Sequence, residues 1–269
     1  MPRRVVLHIG FHKTGTTSIQ RTLRTNRAVL KAKFIQGLKW RFPLLINAAR
    51  GYSTYGDAMS LAKFSIRLDA LLAELPAFKH RGFVMTCEEL AGHIPGRAEL
   101  QNYGAAVALM KEIREAFERR YERPDLHFVF TTRAPEPWLE SAYWEHVKSS
   151  SMTLSLEEFR AQFSEAAQFT KVLDEIEKVV APYPLSRIAL EDCADHRLGP
   201  ADPILRLAGL TDDDLANLEA IGPANTRLPQ NVLDGLLAIN RQEPDSAKRR
   251  AAKAAFLETF ESDGPKSDG

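Results

Sequence analysis

Residues His8 to Gln20 read HIGFHKTGTTSIQ, and this stretch places two glycines, a lysine and a run of hydroxyl side chains within reach of one small anion. Gly10 and Gly15 have the spacing of the phosphate-binding pattern G-x-x-x-x-G-K-[ST], and Thr17 keeps its hydroxyl. Thr16 stands where that pattern has its lysine, and the only lysine of the stretch, Lys13, lies inside the loop. In a nucleotide triphosphatase, lysine and magnesium together neutralise the γ-phosphoryl group. A sulfuryl group carries less negative charge, so its transfer can dispense with the metal. An ammonium beside the bridging oxygen would stabilise the leaving phosphate as the S–O bond breaks.

A second stretch, TTRAPEPWLESAYWEHVK over residues 131–148, sets Arg133 eight residues before Ser141. A guanidinium fork and a hydroxyl suit a terminal phosphate. Displacement by a hydroxyl or amine also needs a proton acceptor near the reacting group. No carboxylate precedes Asp57, which leaves His8 and His12 near the loop. His8 falls inside a strand pattern and reads as a packed residue. His12 faces the ligand, but the adjacent Lys13 ammonium disfavours its protonated form, so it reads as an orienter. Glu88 and Glu89 follow a strand pattern in FVMTCEELAG, at the carboxyl edge where open α/β sheets collect ligands. Each reads equally as a base or as a first-turn helix acid favoured by the dipole. Glu145 and His146 are weaker candidates.

These residues need a scaffold that brings strand ends together. Short apolar runs at Val5–Ile9, Gly82–Thr86, Leu126–Thr131 and Leu185–Leu190 alternate with helical periodicities, which predicts βαβ units around a parallel sheet, each strand buried on both faces. Helices are expected over Thr17 to about Lys33, Asp57–Leu75, Tyr103–Tyr121 and Leu156–Val180. The strand, glycine loop and helix at the start of the chain form the context a phosphate loop needs, with the positive helix end toward the anion. After Asp192 the pattern turns helical, with helices over Pro203–Ala208, Asp212–Leu218, Leu228–Asn240 and near Ala247–Phe260. No linker interrupts the chain. One domain over residues 1–260 is expected, sheet-forming to about 192 and helical over 193–260, with a flexible tail at 261–269.

Composition narrows the function classes. A hydrophobic fraction of 44% and a charged fraction of 26% are those of an ordinary globular chain. The net charge of +1 argues against bulk nucleic-acid binding. Its distribution is uneven: eleven of the 36 basic residues and none of the 35 acidic ones precede Asp57, an environment suited to a polyanion. Cys87 and Cys193 stand far apart, indicating neither a disulfide framework nor a zinc site, and no signal-peptide core or membrane span is expected. A cytoplasmic setting follows as the expectation.

On these two motifs the sequence resembles the sulfotransferases that use 3′-phosphoadenosine 5′-phosphosulfate (PAPS), in particular a bacterial branch with an HxGxHKTGTTxIQ style of loop. The resemblance covers most of residues 5–192 and implies a P-loop-NTPase-like three-layer α/β fold with a central parallel sheet. It implies that Lys13 contacts the bridging oxygen, that Thr14, Gly15, Thr16, Thr17 and Ser18 form the 5′-phosphosulfate loop, and that Arg133 and Ser141 grip the 3′-phosphate. It places the base at Glu88, with 3′,5′-ADP (PAP) as product, no metal, and a small-molecule, carbohydrate or lipid acceptor. Two features depart from the cytosolic branch. Ser18 replaces the tryptophan that stacks on adenine, and the C-terminal Arg-Lys-Gly element is missing, with Arg227 or the Lys248-Arg249-Arg250 cluster as substitutes. The alternatives are a P-loop kinase or nucleotidase with Glu88 on Mg²⁺, and an inactive nucleotide-binding module. Residues 34–56 and Ser149–Ser151, on expected loops, are candidates to line the acceptor pocket.

Overall fold

The computed structural model describes residues 4–75, 80–222 and 228–263. In chain order the elements are β1 (Val5–His8), α1 (Thr16–Thr25), α2 (Arg27–Leu30), β2 (Phe34–Leu38), α3 (Pro43–Tyr55), α4 (Ala58–Glu74), β3 (Gly82–Thr86), α5 (Ala105–Arg120), β4 (Leu126–Thr132), α6 (Pro135–Ser149), α7 (Leu156–Phe163), α8 (Phe169–Val180), β5 (Leu185–Ala189), α9 (Ala201–Leu207), α10 (Asp212–Ala216), α11 (Gln230–Gln242) and α12 (Ser246–Asp263). The five strands form one parallel sheet in the order β2-β3-β1-β4-β5. β1 therefore lies between β3 and β4, and the chain changes direction across it. In open α/β sheets the crevice at such a switch point, outside the carboxyl ends of the strands, is where ligands bind.

The pleat sorts the central strands into two cores. Val5, Leu7, Phe83, Met85, Phe128 and Phe130 point to one face, where α3 to α8 and α11 cover them. Val6, Val84 and Val129 point to the other, beneath α1, α2, α9 and α10. Each fully buried side chain of this kind contributes roughly 2 kcal/mol, so neither face can be left to water. The architecture is three-layered α/β, and the helices after residue 192 divide between both faces.

Several expected elements are cut differently. The helix expected over Thr17–Lys33 breaks at Asn26, whose amide donates to Thr22 O at 3.0 Å and to Glu219 O at 3.0 Å and whose Oδ1 accepts from Glu219 N–H at 2.7 Å. The side chain terminates α1 and ties it to the segment after α10. The helix expected over Leu156–Val180 is two helices, α7 and α8, separated by a 3-10 turn at Ser164–Ala167. The segment 34–56, expected as loop, contains the edge strand β2 and α3; Gln36 and Gly37 interrupt the apolar run that would have marked a strand. Gly37 is required there, since a Cβ would stand 2.7 Å from the Phe83 ring. β5 is the other edge strand, and its half-exposed residues correct the expectation of burial on both faces. α12 extends to Asp263, past the expected start of the tail; residues 264–269 lie outside the described residues, as does Arg227. Among the described residues no helix is long and apolar enough to cross a membrane.

Candidate active site

The loop between β1 and α1 is bent by three left-handed residues, Gly10 (φ 65), Lys13 (φ 67) and Gly15 (φ 95). A Cβ at Gly10 would meet His8 Nε2 at 2.8 Å, and one at Gly15 would meet Leu190 Cδ1 at 2.8 Å, so both glycines answer to shape as well as to φ. Lys13 adopts the same region with a full side chain, at a cost on the order of 1–2 kcal/mol. The surroundings hold it there. Phe11 is buried and stacks on Phe169 with ring centroids 4.5 Å apart. Trp138 Nε1–H donates to His12 O at 2.8 Å, and Thr14 Oγ1 donates to Phe11 O at 2.6 Å.

The consequence is an amine turned into a cleft of about 700 Å³ lined by the loop, the start of α1, the segment after β3 and α6. Lys13 Nζ lies 3.2 Å from Glu145 Oε2, and Lys148 Nζ lies 3.2 Å from the same oxygen. Burial works to raise the Glu145 carboxyl, but Lys13 and Lys148 overcome it and hold it down at about 2. A group that acidic is a poor proton acceptor at neutral pH.

Gly15, Thr16, Thr17 and Ser18 line the same cleft. Helix α1 starts there with no acid in its first turn, so its free N–H groups and positive end face an anion unopposed. Thr16 Oγ1 is buried without a hydrogen-bond partner among the described residues, an arrangement that fits an acceptor oxygen of a ligand. Thr14 differs. Its side chain is fully buried between Phe11 O and the Thr131 hydroxyl, 2.7 Å away, and of its donors only the backbone N–H is left to serve the loop.

Arg133, just beyond β4, and Ser141, on α6, both line the cleft. Arg133 donates to Lys13 O at 3.4 Å, so the guanidinium also braces the loop. Glu88 and Glu89 stand in the 3-10 turn after β3, as the carboxyl-edge position predicts. Glu88 Oε1 pairs with Lys39 Nζ at 3.0 Å and its Oε2 accepts from Gln20 Nε2 at 3.0 Å. Glu89 Oε1 accepts from Arg50 at 3.3 Å and lies 3.5 Å from Lys39. Burial disfavours the Lys39 ammonium, but Glu88 and Glu89 outweigh it and hold its pKa above the ordinary value.

His12 lines the cleft with Nδ1 3.3 Å from the Tyr103 hydroxyl. Its pKa falls to about 3, first through burial and then through Arg50, His93, Lys39 and Arg97; the adjacent Lys13 is not the cause that the sequence suggested. His8 is a core residue held between the hydroxyls of Thr86, at 2.8 Å, and Thr131, at 3.1 Å. His146 is fully buried with Nε2 2.7 Å from Pro95 O and is not part of the cleft lining, which removes it as a base.

Sequence reasoning did not single out Lys39, Arg50, His93, Arg97, Trp144 or Lys148, all of which line the cleft. Lys39 and Arg50 belong to the acid-free stretch and to segment 34–56, so a weak signal existed. His93 and Arg97 carried none. Ser149 is a brace rather than a lining residue, accepting from Arg97 at 2.9 Å and donating to Glu145 O at 2.8 Å. Among the described residues no group of three or more His, Cys, Asp or Glu side chains is placed to hold a metal ion.

Neither a family model nor a curated protein sequence matches the chain. Among solved structures it is similar to a sulfotransferase from Alicyclobacillus acidocaldarius, with 14% sequence identity and a TM-score of 0.47, over 96% of this chain and 100% of that one. At that identity and TM-score the chemistry has to be read from the side chains themselves.

Proposed function

We propose that the cleft is the active site of a sulfotransferase that moves a sulfuryl group from PAPS to a hydroxyl or amine of a small-molecule, carbohydrate or lipid acceptor. The observation that carries this reading is the left-handed Lys13, whose amine enters the cleft beside an acid-free helix start and the unpartnered Thr16 hydroxyl. Gly15 to Ser18 would hold the 5′-phosphosulfate through N–H and hydroxyl donors, and Arg133 with Ser141 the 3′-phosphate. As the acceptor oxygen or nitrogen bonds to sulfur, the S–O bond to the phosphate breaks and the electron pair leaves with 3′,5′-ADP. Lys13 stabilises the charge appearing there, and Glu88 takes the acceptor's proton while Gln20 fixes its carboxylate. Neutral His12, anchored by Tyr103 and Trp138, orients the loop.

Calorimetric titration tests the donor site. Binding of 3′,5′-ADP without Mg²⁺ is expected, and Mg²⁺-dependent binding of ATP in its place would identify a kinase-like site. With labelled PAPS, Lys13→Ala and Glu88→Gln should each lower kcat by about a hundredfold or more, as loss of a transition-state donor or base does. Turnover equal to that of the parent protein in either variant removes the role assigned to that residue.

A further inference from the structure

The donor residues proposed above leave a second charged region of the cleft unused. Lys39 comes from the turn after β2, Arg50 from α3, and His93 and Arg97 from the segment after β3. Glu88 and Glu89 neutralise Lys39 and Arg50. Arg97 has no such partner. Among the described residues it makes no ion pair: its Nη2 donates to the neutral Ser149 hydroxyl at 2.9 Å, and its Nε is buried without a hydrogen-bond partner. The Ser149 hydroxyl compensates only part of the solvation that a half-buried guanidinium with no counter-ion gives up, and a ligand carboxylate would supply the missing counter-charge at its Nη groups. Arg50 and Arg97 also converge on His93, whose pKa falls to about 4 through burial and then through these two cations. The imidazole is neutral at pH 7, an N–H donor or acceptor between two positive groups.

We infer that Arg97, with Arg50 and His93 beside it, binds a carboxylate of the acceptor, so that the protein selects acidic acceptors such as uronic acid glycosides over neutral ones. The inference rests on the sulfotransferase reading for the identity of the ligand as an acceptor, but the subsite can be measured without turnover. Binding of p-nitrophenyl β-glucuronide and of p-nitrophenyl β-glucoside is measured by calorimetry on the full chain, with and without saturating 3′,5′-ADP. The nucleotide occupies the donor site and prevents the carboxylate from lodging there.

The glucuronide is expected to bind about tenfold tighter than the glucoside or more, the difference a charge-assisted contact makes. Arg97→Gln should abolish this preference, and Arg97→Lys should retain part of it because the charge survives without the fork. Affinity for 3′,5′-ADP reports that each variant is folded. If Arg97→Gln does not fold, the wild-type preference and its reduction in Arg97→Lys decide. Equal binding of the two glycosides, no binding of either, or a preference that survives in Arg97→Gln or is undiminished in Arg97→Lys overturns the subsite. Failure of the sulfotransferase reading appears separately, as absent 3′,5′-ADP binding or absent transfer of label from PAPS, whatever the glycosides do.

Discussion

Lys13 meets Glu145 across the cleft at 3.2 Å, so the anionic donor proposed to bind there would compete with a carboxylate that Lys148 also holds. Replacing Glu145 by Gln removes the competitor and leaves the cleft more positive. The pair is partly solvated, which limits its strength to about 1 kcal/mol, and 3′,5′-ADP should bind about fivefold tighter to Glu145→Gln by calorimetry. Weaker binding would mean that Glu145 helps hold the ligand. His8 makes a different prediction at the same scale. Burial lowers its pKa to about 4, partly offset by Glu88, whereas the unfolded chain titrates near 6.5. The unfolded state therefore binds the proton first as pH falls. The contribution of His8 to stability is complete above about 6.5 and is lost between there and about 4, by about 3 kcal/mol over the full range. Urea titrations across this interval should show His8→Gln with a slope shallower by up to one proton. An unchanged slope would place the loss in other groups.

Helix α6 presents Ser141, Glu145 and Lys148 to the cleft, and its C-terminal carbonyls are satisfied from far along the chain. Lys253 on α12 donates to Val147 O at 2.6 Å and Ser150 O at 2.7 Å, and Asn240 on α11 donates to Val147 O at 3.0 Å and Met152 O at 2.9 Å. A helix ends with carbonyls lacking intrahelical donors, and here the two last helices supply those of Val147 and Lys148 at the end of α6 and of Ser150 and Met152 just beyond it. Lys253→Met keeps the stem and removes the donors; Val147 O keeps Asn240, but the part-buried carbonyls of Lys148 and Ser150 lose their partner, at a cost of about 1–3 kcal/mol. A lower denaturation midpoint in urea is expected, together with weaker 3′,5′-ADP binding if the end of α6 shifts Lys148. Wild-type stability in this variant would show that water satisfies the carbonyls instead. The C-terminal helices thus belong to the site's support, although none of the residues in these contacts lines the cleft.

The helices after residue 192 cover both faces of the sheet, α9 and α10 on one and α11 on the other. Removing α9, α10 or α11 would expose core, so the described chain should unfold as one cooperative unit. Far-ultraviolet dichroism and tryptophan fluorescence are expected to give coincident urea transitions, and two separated transitions would divide the chain into independent units. The short-range features were legible in the sequence because they depend on neighbours along the chain. Two glycines five apart after an apolar strand determined a left-handed loop and the start of α1, and alternation of apolar runs with helical periodicities determined the parallel α/β class. β2 was hidden because its pairing with β3, not its own Gln36 and Gly37, makes it a strand. Only the tertiary structure decided that Thr14 turns inward, that His146 is sealed from the cleft and that Lys39, Arg50, His93 and Arg97 gather beside Glu88. These four side chains meet because β2 pairs with β3, which brings the turn after β2, α3 and the segment after β3 to one end of the sheet, and charge in space follows that strand order, which local sequence does not encode.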